Sequence, residues 1–156
     1  MIIFLDFDGV MHPVNQVALF CREEHLARVL RGFPDVELVI SSAWRQTHTL
    51  KLMQTFFLTE LRSRVVGVTP VLQVGDADTS AAPGMRYQEI KKYLADTDNH
   101  SRRWIALDDD AQLFPPRCAE LLLCDAKFGF GEVEERALRA MLQSTAAKEA
   151  RRNRQP

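Results

Sequence analysis

Two aspartates, Asp6 and Asp8, close an N-terminal run of large apolar residues, Ile2-Ile3-Phe4-Leu5. A second apolar run, residues 104–107, ends in Asp108-Asp109-Asp110, and a third, residues 36–40, ends in the hydroxyl pair Ser41-Ser42. If these runs are neighbouring strands, the carboxylates of Asp6, Asp8, Asp108 and Asp109 and the hydroxyls of Ser41 and Ser42 converge on one edge. Carboxylates within about 5 Å of one another stay ionised together only beside a cation. Oxygen donors with no His/Cys cluster select a hard metal, for which Mg²⁺ is the natural candidate.

The elements that must deliver these side chains can be read from the apolar pattern. Short continuous apolar runs suit strands buried on both faces. Ile2–Leu5, residues 36–40, 65–71 and 104–107, and Leu121–Leu123 read as such strands. Helical spacing fills the intervals: Glu23–Leu30, residues 46–61 as one longer helix carrying Leu50, Met53, Phe57, Leu58 and Leu61, residues 87–94, and residues 132–143. The alternation predicts an α/β fold, a Rossmann-like three-layer sandwich around a central, mostly parallel sheet. Ligands of such sheets sit beyond the carboxyl ends of the strands, where the acidic residues fall. Residues 73–84, "QVGDADTSAAPG", read as an exposed excursion. Residues 1–145 read as a single domain, and residues 146–156 as a polar, basic tail expected to fray.

The 156 residues fit one domain, and 46% apolar with 26% charged side chains permit a globular core. A net charge of -1 gives no bulk attraction to nucleic acid or anionic membrane, so charge-driven binding needs a local patch. Cys21, Cys118 and Cys124 form no CxxC pair, which predicts reduced thiols, each acting as a small buried hydrophobe, in an intracellular setting. No apolar run approaches the ~18 residues of a membrane span. The first run stops at Asp6 without a basic lead, so the expectation is a soluble cytoplasmic protein without a signal peptide or membrane contact.

"DFDGV" resembles the first motif, DxDG[TV], of the haloacid-dehalogenase-like (HAD) phosphatase superfamily. "VISS" is similar to its second motif, a strand ending in Ser or Thr, and "ALDDD" to its fourth, an apolar strand ending in acid. Arg86, ahead of "YQEIKKYL", stands at the distance of the third-motif cation, although Lys91 and Lys92 follow one turn on. Within the superfamily, "FLDFDGVMHP", "VISSAWR" and "R..EI..YL" resemble a small subgroup known from RNA-repair-associated proteins.

The resemblance implies a Mg²⁺-dependent phosphomonoester hydrolase. Asp6 would be the nucleophile that forms an aspartyl-phosphate, and Asp8 the acid for the leaving oxygen and then the base for water. Mg²⁺ would be held by Asp6, by Asp8 through its backbone carbonyl, and by Asp108 or Asp109. Ser41 would hydrogen-bond the transferring phosphoryl group and Arg86 offset its charge, while Gly9 would let the backbone turn close to the substrate. Ser42 would supply a backbone N–H. His12, Trp44 and Arg45 each follow a motif directly and could touch substrate; the alternatives are loop packing for His12, a place in the core for Trp44, and a place on the first helical turn for Arg45. Asp110 reads as a turn cap.

The short segment between Asp8 and Ser41, and that between Ser41 and Arg86, leave no room for a full cap domain. The resemblance thus implies a minimal cap and an open site, suited to a phosphorylated small molecule, a nucleotide or a nucleic-acid end, or to a partner protein acting as lid. A non-catalytic HAD-like binding module is the alternative, against which the presence of both Asp6 and Asp8 weighs. In a signalling receiver the hydroxyl strand would follow the phosphorylated aspartate strand; here it precedes the DD strand. A nucleotide-sugar transferase carries its DxD inside a longer chain.

Overall fold

Strand β1 (Ile2–Leu5) is buried at every position, which a strand can be only when it is covered on both faces and paired along both edges. It pairs in parallel with β2 (Glu37–Ile40) on one side and β4 (Trp104–Asp108) on the other. β3 (Val65–Val68) extends the sheet beyond β2, and β5 (Leu121–Leu123) beyond β4, giving the order β3-β2-β1-β4-β5 with all neighbours parallel. This computed structural model describes residues 1–72 and 84–152.

The alternation of side chains along the strands builds two cores. Ile3 and Leu5 of β1, Leu38 and Ile40 of β2, and Ile105 and Leu107 of β4 face one side. There they meet Leu26, Val29 and Leu30 of α1 (Glu23–Leu30), Met53 of α2 (Leu50–Gln54), Leu61 of α3 (Thr59–Arg62), and Leu138 and Leu142 of α5 (Glu132–Arg152). Ile2, Phe4, Val39 and Ala106 face the other side and pack on Ile90 and Leu94 of α4 (Met85–Asp96) and on Phe114. The result is an α/β, Rossmann-like three-layer sandwich. Among the described residues, only the turn after β1 and α1 occupy the interval between β1 and β2, with no added domain there.

Register aligns the motif ends. Leu5 stands opposite both Ile40 and Leu107, so the next residues, Asp6, Ser41 and Asp108, emerge at one level. The backbone N–H of Asp6 reaches Leu107 O, and that of Ser41 reaches Leu5 O, each at 3.0 Å.

Several boundaries differ from the sequence reading. Residues 46–61 do not form one helix: a 3-10 turn over Ala43–Gln46 is followed by α2 and α3 as separate short helices. The Thr49 side chain accepts the Leu52 N–H and starts α2 anew, and the Glu23 carboxylate accepts the Leu58 N–H at the start of α3. Met53, Phe57 and Leu61 still reach the core. β3 stops at Val68, α4 begins at Met85, and α5 runs on to Arg152, so the expected fraying tail is helical up to that residue. Residues 73–83 of the expected excursion lie outside the described residues. Cys124 is buried as expected, but Cys118 is half-buried and Cys21 exposed. No helix among the described residues is long and apolar enough to cross a membrane.

Ile3 is fully buried in the central strand, away from the acidic edge. Ile3→Ala is expected to lower the unfolding free energy by about 2–5 kcal/mol, the cost of the lost burial and the cavity, read by urea denaturation.

Candidate active site

After β1 the chain coils tightly. The N–H groups of Val10 and Met11 both return to Phe7 O, and Gly9 adopts a left-handed φ of 70°. A Cβ at Gly9 would collide with the Asp109 carboxylate, so glycine serves both the turn and the close approach of the fourth motif. Phe7, Val10 and Met11 anchor the turn in the core, leaving Asp6 and Asp8 at its polar edge.

Carboxylate oxygens of Asp6, Asp108 and Asp109 lie within 4.8 Å of one another. Asp6 Oδ1 accepts the Phe7 N–H at 2.9 Å, and Asp108 Oδ1 accepts the Asp110 N–H at 3.0 Å. Asp108 Oδ2 is buried and has no hydrogen-bond partner among the described residues. Burial, then the neighbouring Asp6 charge, pushes the Asp108 pKa up to about 7, with Arg86 opposing; burial and Asp6 also raise that of Asp109. A crowded, oxygen-only set with a buried oxygen that takes no hydrogen bond fits a hard divalent cation such as Mg²⁺. Both Asp108 and Asp109 belong to it. The Asp8 carboxylate does not: it turns outward, leaving only the backbone carbonyl for the metal role that the resemblance implied. Asp110 caps the next 3-10 turn by accepting the Gln112 N–H at 2.8 Å.

Arg86 enters this edge from the first turn of α4, its Nη1 3.5 Å from Asp6 Oδ1 and 3.3 Å from Asp108 Oδ2. Gly84 lets α4 start there, because a Cβ would strike the backbone of Gln112 and Leu113. Lys91 and Lys92 are exposed, and Lys92 pairs with Asp96, so Arg86 is the cation at the acidic edge.

Arg45 does not extend toward a ligand. Its Nε donates to Thr69 O, its Nη1 to Ser41 O and Ser42 O, and its Nη2 reaches Pro70 O and Glu89 Oε2. With its fork spent on the ends of β2 and β3, the expected substrate contact gives way to an anchoring role. Sequence reasoning gave Glu89 no role. It is buried, 2.5 Å from Arg45 and 3.8 Å from Arg86 Nε, and so ties the second motif to the third. Its spacing of three from Arg86 on a helix was the available signal. Ser41 is buried at the strand end, and the Ser42 hydroxyl accepts the Trp44 N–H as a turn cap.

His12 and Trp44 meet Asp8. His12 Nε2 is 3.1 Å from Asp8 Oδ1, and Trp44 Nε1 donates to Asp8 Oδ2 at 2.8 Å. Trp44 packs edge-on against Phe7, Phe20 and Phe56 and stacks on His48, so its ring belongs to an aromatic cluster rather than to a free platform.

A parallel sheet whose central strand delivers DxDG, flanked by a hydroxyl strand and an acidic strand with an arginine across the cluster, defines a HAD-like domain. Residues 2–134 match the family described as the HAD domain in Swiss Army Knife RNA repair proteins, and the chain belongs to that family. No curated protein and no solved structure matches the chain. At the level of the family, a phosphatase-type hydrolase activity is indicated.

Gly9→Ala is expected to displace Asp109 and weaken Mg²⁺ affinity at least several-fold in calorimetric titration, with the fold retained by circular dichroism. Folding raises the Asp108 pKa above its ordinary 3.8, so its contribution to metal-free stability is full below about pH 4 and is lost as the pH rises through about 7. The increase in Tm produced by Mg²⁺ is therefore expected to grow from pH 5 to pH 8 in thermal melts, and to shrink in Asp108→Asn.

Proposed function

We propose that the protein is a Mg²⁺-dependent phosphomonoester hydrolase working through an aspartyl-phosphate on Asp6. The carrying observation is the carboxylate trio of Asp6, Asp108 and Asp109 within 4.8 Å, faced by Arg86, with Asp8 turned outward two residues further on. A purely metal-binding edge has no need of the last.

The chain's groups divide the reaction between them. Asp6 attacks phosphorus through its carboxylate, forming the Asp6–phosphorus bond. The ester bond breaks as its electron pair leaves with the departing oxygen, which takes the proton of Asp8. A water then attacks phosphorus, giving its proton to the Asp8 carboxylate, and the bond to Asp6 breaks to release phosphate and the free carboxylate. Arg86 offsets the phosphoryl charge, and the Ser41 hydroxyl hydrogen-bonds a phosphoryl oxygen. Asp6, Asp108 and Asp109 would hold Mg²⁺, which when bound neutralises their charge and stabilises that of the transferring phosphoryl group.

Among the described residues no domain is inserted between β1 and β2, a minimal cap that suits a phosphate carried on a larger molecule. The family's RNA-repair description makes a phosphorylated polynucleotide end the first substrate class to test, ahead of nucleotides and sugar phosphates. The unpaired thiols support a cytoplasmic setting.

Hydrolysis of an aryl phosphate is expected with Mg²⁺, to vanish in EDTA, and to fall by at least about 10³-fold in Asp6→Asn. Full activity in Asp6→Asn would remove Asp6 from the nucleophile role. A screen across oligonucleotide ends, nucleotides, sugar phosphates and phosphopeptides reads the substrate class, and turnover of small phosphates alone would reject the polynucleotide end.

A further inference from the structure

We propose that Trp44 and His12 are positioning residues that hold the Asp8 carboxyl for proton transfer; this rests on the hydrolase reading above. The Asp8 side chain is 53% exposed, and an exposed carboxyl left alone samples several rotamers. Here each oxygen has its own partner: His12 Nε2 at 3.1 Å from Oδ1 and Trp44 Nε1 at 2.8 Å from Oδ2. Two separate contacts fix both the direction of the side chain and the rotation of its carboxyl plane. The exposed side stays open to a leaving oxygen or a water.

The partners are themselves rigid. His12 is 3% exposed, and its backbone forms a bridge with that of Asp8, so the turn folds back on itself. Trp44 is wedged among Phe7, Phe20, Phe56 and His48, and its backbone N–H is capped by Ser42. The indole can only donate. His12 Nδ1 is buried without a hydrogen-bond partner among the described residues. A proton there would be an unpaired buried donor, so the tautomer with hydrogen on Nε2 is favoured, and His12 donates to Asp8 as well. Asp6 belongs to the carboxylate trio, whereas Asp8 is held by two donors from the turn of β1 and the turn after β2. Positioned in this way, the proton-transfer group keeps its geometry independently of the nucleophile.

The test separates positioning from folding through the leaving group. An alkyl phosphate needs a proton on its departing oxygen, whereas dinitrophenyl phosphate departs as a stable anion. Trp44→Phe keeps an aromatic ring and removes the N–H. It is expected to lower kcat/KM for the alkyl ester about 10- to 100-fold, and for the dinitrophenyl ester several-fold less, with KM nearly constant. His12→Leu is expected to repeat that selectivity, and His12→Gln, whose amide can donate from a similar place, to recover much of the loss. If Trp44→Phe fails to fold, the Gln/Leu comparison at His12 decides. Equal losses on both esters, a change confined to KM, or no difference between Gln and Leu would overturn the inference while leaving the hydrolase reading intact. Hydrolysis of neither ester by the wild type would overturn both. A readout independent of turnover is the Trp44 indole N–H resonance in Trp104→Phe protein. It is expected to move upfield in Asp8→Ala, and an unmoved signal would show that the contact does not form.

Discussion

Within 4.8 Å of one another, the carboxylates of Asp6, Asp108 and Asp109 repel, and the burial of Asp6 and Asp108 strengthens that repulsion by removing water. The carboxyl end of the sheet is arranged around this strain. Arg86 lies between Asp6 and Asp108, and it is held there by Glu89, which is held in turn by Arg45. Arg45 then grips the carbonyls that end β2 and β3. One chain of charges therefore connects the second, third and fourth motifs. The remaining imbalance, visible in the raised Asp108 pKa and in an Asp108 Oδ2 that takes no hydrogen bond among the described residues, is what a divalent cation would relieve.

The same edge separates two kinds of carboxylate. Asp6 is buried, lies against Asp108 and Asp109, and takes a backbone N–H on one oxygen. Asp8, two residues on, is exposed, with Trp44 Nε1 donating to one oxygen and His12 Nε2 lying 3.1 Å from the other. Different surroundings for neighbouring carboxylates are what the proposed division into a nucleophile and a proton-transfer group requires. Gly9 makes the separation possible, because its left-handed turn carries the chain away while Asp109 moves in against it.

Much of this was legible in the chain itself. Continuous apolar runs located the five strands seen among the described residues, and the polar residues after three of them marked the edge, because only strand ends at one level can gather such groups. The break of residues 46–61 into a 3-10 turn and two short helices was not legible. Leu50, Met53, Phe57 and Leu61 keep helical spacing, while the events that interrupt the helix are a local Thr49 cap and the distant Glu23 carboxylate. The anchoring contacts of Arg45, which lies on the turn after β2 as one of its two readings had it, were not legible for a related reason: its partners include the carbonyls of Ser41, Ser42, Thr69 and Pro70, which no residue type announces. The link from Trp44 to Asp8 spans 36 positions and exists only once β1 and β2 lie side by side.

The central claim is that Asp6 forms a covalent bond to phosphorus. Its most direct test is mass spectrometry of the acid-quenched protein after brief reaction with an aryl phosphate and Mg²⁺. The account predicts a hydroxylamine-sensitive phosphoryl group on the peptide containing Asp6. Turnover with no such adduct under single-turnover conditions, or with the adduct on another residue, would contradict it.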